Sequence, residues 1–309
     1  MAVSFDCRSR YLALFPQLLE DQMTIASPNA VNSLHAKPKE RAHGALSAFS
    51  GKALSAAATT WFVVAVAGQL IFVLYILSFY ASSALQGNMQ AWNKVLPTGH
   101  VPGDTLGNIA IAIHVLIAAV VTIGGPLQLM AKIRAGFPRF HRWNGRVYIA
   151  TVVVASISGL FVVWTRSANG SFLQHLTISI NAVLILIAAW FALRHAVARR
   201  LAEHRRWALR LFLVVSGSWF FRVILMFWIA LNGGPAGFDP TTFQGPALVA
   251  IGLLQYVLPL AVLELYFFAK SSARPAARIS AAGLVFALTG AMAVGIAVAT
   301  MGMWLPKML

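Results

Sequence analysis

The sequence predicts an all-α membrane protein in which seven transmembrane helices surround a four-helix core built from a parallel duplication of two helices. Three observations predict it. Of 309 residues, 59% are hydrophobic and 10% charged, with a mean hydropathy of +0.74, too apolar for a water-soluble domain. Apolar stretches of roughly twenty residues recur, each able to cross a hydrocarbon core of about 30 Å at about 1.5 Å per residue. Two segments also repeat one plan: His114 leads through an apolar run to His141-Arg142-Trp143, and His175 leads through another to His204-Arg205-Arg206-Trp207.

In chain order, residues 1–59 read as a polar, Ser- and Ala-rich cytoplasmic leader, disordered because Pro16 interrupts its only amphipathic stretch. The transmembrane domain is 60–309, with its functional core at 108–231. Apolar runs predict helices over 60–82, 108–131, 144–165, 171–193, 207–231, 246–268 and 279–304. The last is rich in Ala and Gly, and Trp304 suits an interface anchor. The connection 83–107 is the longest on its side, and Pro97-Thr98-Gly99 and Pro102-Gly103-Asp104 are turn formers that predict a loop folded over the mouth of the bundle. The turn 232–245 is similarly rich in Gly and Pro.

A net charge of +16 would suggest nucleic acid in a soluble protein, but the placement of charge excludes that reading. Twenty of the 24 Lys and Arg fall before the first helix or in 132–146, 194–210 and 270–278, in every second connection and so on one side of the membrane, whereas the other connections hold almost none. The positive-inside rule puts the amino terminus and these turns in the cytoplasm and the carboxyl terminus outside. The single cysteine, Cys7, excludes disulfide frameworks and iron-sulfur clusters within the chain, so any redox chemistry must use histidine. Phosphate-binding loops, dinucleotide fingerprints, zinc-protease helices and nucleophile elbows are absent, as are intramembrane acids for proton coupling.

A parallel duplication places equivalent residues at equivalent depth, so the histidines pair as His114 with His175 and His141 with His204. His114 shares a helix face with Val121, Gly125 and Gln128, and His175 with Ser179, Ala182 and Ala189. Such small faces admit either a flat ligand or a close neighbouring helix, and both readings stand. His141 aligns with Gly145, Tyr148, Val152 and Gly159; it and His204 lie at basic turns, where histidine is also an ordinary polar residue and Trp143 and Trp207 are ordinary interface anchors. His195 reads as a solvated turn residue, and His35, His43 and His100 as loop residues. Arg222 lies mid-helix, where a charge costs at least about 2.5 kcal/mol. Glu264 is too near the inner end to reach it, whereas a straight helix brings Arg222 to the level of His114 and His175. There a haem propionate, backbone carbonyls or a lipid phosphate could take its charge.

At Gly125-Pro126-Leu127-Gln128, at Phe140-His141-Arg142-Trp143-Asn144-Gly145-Arg146-Val147-Tyr148 and at His204-Arg205-Arg206-Trp207-Ala208-Leu209-Arg210, the chain resembles a family of bacterial multi-pass proteins known only as a domain of unknown function. The resemblance spans roughly 105–270 and implies a fold without an activity. More loosely, the layout is similar to dihaem b-type transmembrane cytochromes that take electrons from ascorbate-like donors. That likeness implies two haems b, His114 with His175 on one and His141 with His204 on the other. It departs from the pattern in setting the second pair at the membrane edge. The expectation is a haem-dependent transmembrane electron carrier, with the bilayer around it, a quinone or small molecule as redox partner, no nucleic acid and no oligomeric state assigned. Its alternative is a non-enzymatic membrane subunit or lipid-binding scaffold with structural histidines.

Overall fold

The structure, a computed structural model, describes residues 38–96, 98–166 and 170–308. Cys7, His35 and most of the expected leader lie outside the described residues.

The long helices are α1 (Pro38–Ile76), α2 (Thr105–Leu129), α3 (Pro138–Arg166), α4 (Phe172–Val197), α5 (Leu201–Val215), α6 (Gly217–Asn232), α7 (Pro246–Ser271) and α8 (Pro275–Ala299). Among the described residues there is no strand, and an isolated bridge joins Asp239 to Gln244. Six helices are long and apolar enough to span a membrane, and α5 with α6 makes a seventh span bent by 54°. Two boundaries differ from expectation. Residues 38–59, expected in a disordered leader, are helical and extend α1 beyond the membrane-length run. The expected straight helix over 207–231 breaks at Ser216, where Ser216-Gly217-Ser218 interrupts the apolar run; Ser216 Oγ donates to the Phe212 carbonyl, a back-bond of the kind that bends helices.

Packing follows from where bulk is missing. Helix α2 lies along α3, α3 along α4, α4 along α5, and α5 touches α2, which closes a ring at the end carrying the basic turns. Above Ser216, α6 leaves this ring to pack on α8 and α7. The largest group of buried side chains joins α1, α6, α8 and the 83–107 loop around Phe72, Tyr75, Trp92, Trp219 and Trp304. Only 22% of the most apolar window of α2 and of α3 is buried, against 44% for α1, so the expected functional core has the larger share of the lipid-facing surface.

The described part of the 83–107 connection folds back on the end of α1, its turn at Met89–Lys94 lying against Leu77–Leu85. Trp92 is buried with its indole N–H donating to the Tyr80 carbonyl, and paired hydrogen bonds tie Asn93 to His100 and Asn108 to Val101. At the same end, Ser171 and Gln174 form a capping box at the start of α4, and Gln174 Nε2 donates to the Phe243 carbonyl, which fixes the 233–245 turn beside His175. Gly245 sits at φ 150°, and a Cβ there would lie 2.5 Å from the Gly237 carbonyl oxygen, so only glycine closes this turn.

Candidate cofactor site around the paired histidines

Helices α2 and α3 interlock through three polar contacts. His114 Nδ1 meets Ser158 Oγ at 3.2 Å, Asn144 Nδ2 donates to the Gly124 carbonyl at 3.2 Å, and Gln128 Nε2 donates to the His141 carbonyl at 3.1 Å. The glycines expected to line an open face seat neighbouring side chains. A Cβ at Gly159 would lie 3.0 Å from His114 Cε1, one at Gly125 would lie 2.9 Å from Phe212 Cδ2, and one at Gly145 would lie 3.3 Å from Gln128 Oε1. As folded, the small faces serve close helix contact.

His114 Nδ1 and Ser158 Oγ share a hydrogen bond whose direction depends on the imidazole tautomer, and the Ala155 carbonyl lies within hydrogen-bond reach of both side chains. His204 donates from Nδ1 to the Ala192 carbonyl at 2.9 Å and keeps Nε2 as its acceptor nitrogen. His175 packs edge-on to Trp164, ring centroids 5.8 Å apart, and its Nε2 is buried without a hydrogen-bond partner. His141 Nδ1 is also buried and unpartnered. A buried polar nitrogen without a partner is uncommon enough to need a reason.

His114 and His175 lie toward one end of α3, and His141 and His204 toward the other. His114 and His175 both touch α3 toward its carboxyl end, at Ser158 and Trp164, about 9 Å apart along the helix. His141 and His204 lie at the basic end, within electrostatic reach of each other. Arg222 lies within electrostatic reach of His114, but the helix is bent between His204 and Arg222, so the straight face expected to carry both is not formed. Its Nη1 donates to the Ser218 carbonyl at 2.7 Å and its guanidinium sits 5.3 Å from the centre of the Phe72 ring, so a backbone carbonyl and an aromatic face take part of its charge. Glu264 pairs with Arg210 at 2.7 Å, consistent with its depth.

His195, expected as a solvated turn residue, is half-buried; its ring stacks on Phe191 and Nδ1 is buried without a partner. Sequence reasoning missed Ser158, which bonds His114 Nδ1, and Tyr75 and Tyr80, which feel the charge of Arg222. Ser158 carried no motif. The two tyrosines carried a weak signal as polar tips in an apolar run; Tyr75 precedes and Tyr80 lies within the π turn Leu77–Ala81, a feature often found at functional sites.

Among the described residues, no three or more His, Cys, Asp or Glu side chains are placed to hold one metal ion, so the histidines are usable only in pairs. Two of the paired histidines carry features of a ligating imidazole: His175 Nε2 is buried without a partner, and the His204 Nδ1–H bond to the Ala192 carbonyl orients its ring and leaves Nε2 as the acceptor nitrogen. The interior between α2, α3 and α5 holds a cavity of about 20 Å³, so seating a macrocycle requires these helices to part.

No curated protein and no solved structure matches the chain. The model of one family, described as a predicted membrane protein (DUF2306), matches residues 111–260, which runs from α2 into α7 and includes all four paired histidines and Arg222. Over residues 111–260, just under half of its length, the chain is thus similar to the DUF2306 family of predicted membrane proteins.

Proposed function

We propose that the chain is a b-type haem electron carrier of the bacterial inner membrane, moving electrons between an inside donor and an outside or quinone acceptor. The observation that carries this reading is the state of the ring nitrogens. His175 Nε2 is buried without a hydrogen-bond partner, which is costly, and His204, donating from Nδ1 to the Ala192 carbonyl, has Nε2 as its acceptor nitrogen. His114 and His175 would hold one haem b, and His141 and His204 a second. Bound there, the group would supply a one-electron couple. Ser158 and the Ala192 carbonyl orient two of the imidazoles, and Arg222 places a cation near His114 that would favour an anionic propionate. The clustering of basic residues supports a cytoplasmic amino terminus and an outside carboxyl terminus.

The test is spectral. Two imidazoles on one iron act as a unit, so His114→Ala and His175→Ala should each remove the same haem component, and the double variant should lose nothing further. His141→Ala and His204→Ala should share the other component. Independent losses from the members of a pair would overturn the pairing.

A second reading has its own support. The close helix contacts at Gly125, Gly145 and Gly159 and the water-sized interior favour a membrane scaffold with structural histidines. On that reading the protein carries no Soret absorbance, and the four His→Ala variants differ only in stability.

A further inference from the structure

The cavity of about 20 Å³ lies where α5 breaks into α6, and Gln69, Val121, Thr122, Tyr148, Phe212, Val215, Ser216, Ser218 and Trp219 line it. Gln69 Oε1, the Tyr148 hydroxyl and Trp219 Nε1 are all buried with no hydrogen-bond partner among the described residues. Their residues are 2%, 7% and 2% exposed. The three residues that carry these orphaned atoms all line this one small cavity, and each atom alone would cost on the order of 1–3 kcal/mol.

Their chemistry identifies the ligand. Trp219 Nε1 can only donate, the Tyr148 hydroxyl has its proton free, and Gln69 Oε1 can only accept, since Gln69 Nε2 is spent on Ser216 Oγ at 3.0 Å. Thr122 gives its own proton to the Ala118 carbonyl and so offers the cavity an acceptor oxygen. Two donors and two acceptors around a space of this size match the valence of one water molecule, which needs about 10–15 Å³ and two to four polar partners. Two inward donors disfavour a cation, and the Gln69 oxygen disfavours an anion.

We propose that this cavity binds a single ordered water that bridges Gln69 of α1, Thr122 of α2, Tyr148 of α3 and Trp219 of α6, tying four helices together at the bend. The site does not depend on the haem reading. It gives the bend a chemical cause beyond Ser216: the turn lets Trp219 and Gln69 converge on one polar molecule inside the membrane.

The experiment is pulsed radiolytic labelling of the full-length protein, purified in lipid nanodiscs, in water enriched in oxygen-18. A ring beside an ordered water is hydroxylated despite burial, and Trp304, fully buried, also unpartnered at Nε1 and outside the cavity lining, is the internal control. Trp219 and Tyr148 should label several-fold faster than Trp304. In Tyr148→Phe, which removes one donor and keeps the ring, labelling of Trp219 should fall several-fold while Trp304 is unchanged. Labelling of Trp219 no faster than that of Trp304, or unaffected by Tyr148→Phe, would overturn the proposal.

Discussion

Gly295 on α8 is where the packing of this membrane bundle is tightest against backbone. A Cβ built there would lie 2.4 Å from the Val223 carbonyl oxygen of α6 and 2.9 Å from Val223 Cγ1. Ordinary contact begins near 3.4 Å, so Gly295→Ala forces α6 and α8 apart by about 1 Å. A flexible side-chain tip could swing aside, but a helix carbonyl cannot. A gap of that size forfeits a quarter to a half of the dispersion well along the contact, and overpacking of this kind costs about 1–3 kcal/mol, roughly five- to 150-fold in the folded-to-unfolded ratio. Gly290, five residues earlier on the same helix, has nothing within 4 Å of its would-be Cβ, so Gly290→Ala should gain about 0.5–1 kcal/mol from helix propensity. The two alanines should therefore move stability in opposite directions. Unfolding in mild detergent, followed by tryptophan fluorescence against rising SDS, reads the difference. Equal midpoints for the two variants would refute the close approach of α6 and α8.

Three further outcomes follow from single sites. Arg222→Leu should shift the potential or lower the occupancy of the haem near His114, and Arg222→Lys, a point charge without the planar fork, should restore only part; an unchanged redox titration in Arg222→Leu would leave Ser218 and Phe72 as its whole role. In the exposed turn after α6, the Thr241 backbone N–H, at 2.8 Å, and the Thr242 hydroxyl, at 3.1 Å, donate to the Asp239 carboxylate and hold its pKa below the ordinary 3.8. A depressed carboxylate stabilises the turn fully above 3.8 and loses that contribution as pH falls through the lowered value, so the Thr241 amide resonance should titrate with a midpoint below 3.8, and a midpoint at or above it contradicts the geometry. An outside-active reporter fused after Leu309 should be active and one fused near Ser272 silent, with the reverse at either position contradicting the orientation.

The all-α membrane class and the number of spans were legible because hydropathy and length alone decide them, as the runs that became α2, α3, α4 and α7 illustrate. The bend at Ser216 was marked only by a Ser-Gly-Ser triplet, which a run otherwise as apolar as Leu211–Val215 and Val223–Ala230 masks. The start of α1 was hidden because residues 38–59 are polar enough to read as coil, whereas the helix there is set by packing: Leu54 and Ala57 bury against Ala281, Ala282 and Val285 of α8. At the site, spacing was enough to separate His114 and His175 from His141 and His204 along the helices. What spacing could not give was the use of each glycine: Gly125 and Gly159 look the same whether a ring or a neighbouring side chain fills the space, and only their contacts with Phe212 and His114 distinguish the two. The water site was equally hidden, since Gln69, Tyr148 and Trp219 are 71 or more residues apart and meet only through the bend.

The most direct measurement for the central claim is the absorbance spectrum of the full-length protein, purified after expression with ample haem and recorded before and after reduction with dithionite. The haem-carrier account predicts a Soret band that sharpens and shifts on reduction, with narrow bands at longer wavelength typical of iron held by two imidazoles. Folded protein without Soret absorbance in either state would contradict it and leave the histidines of α2 to α5 as structural residues of a membrane scaffold.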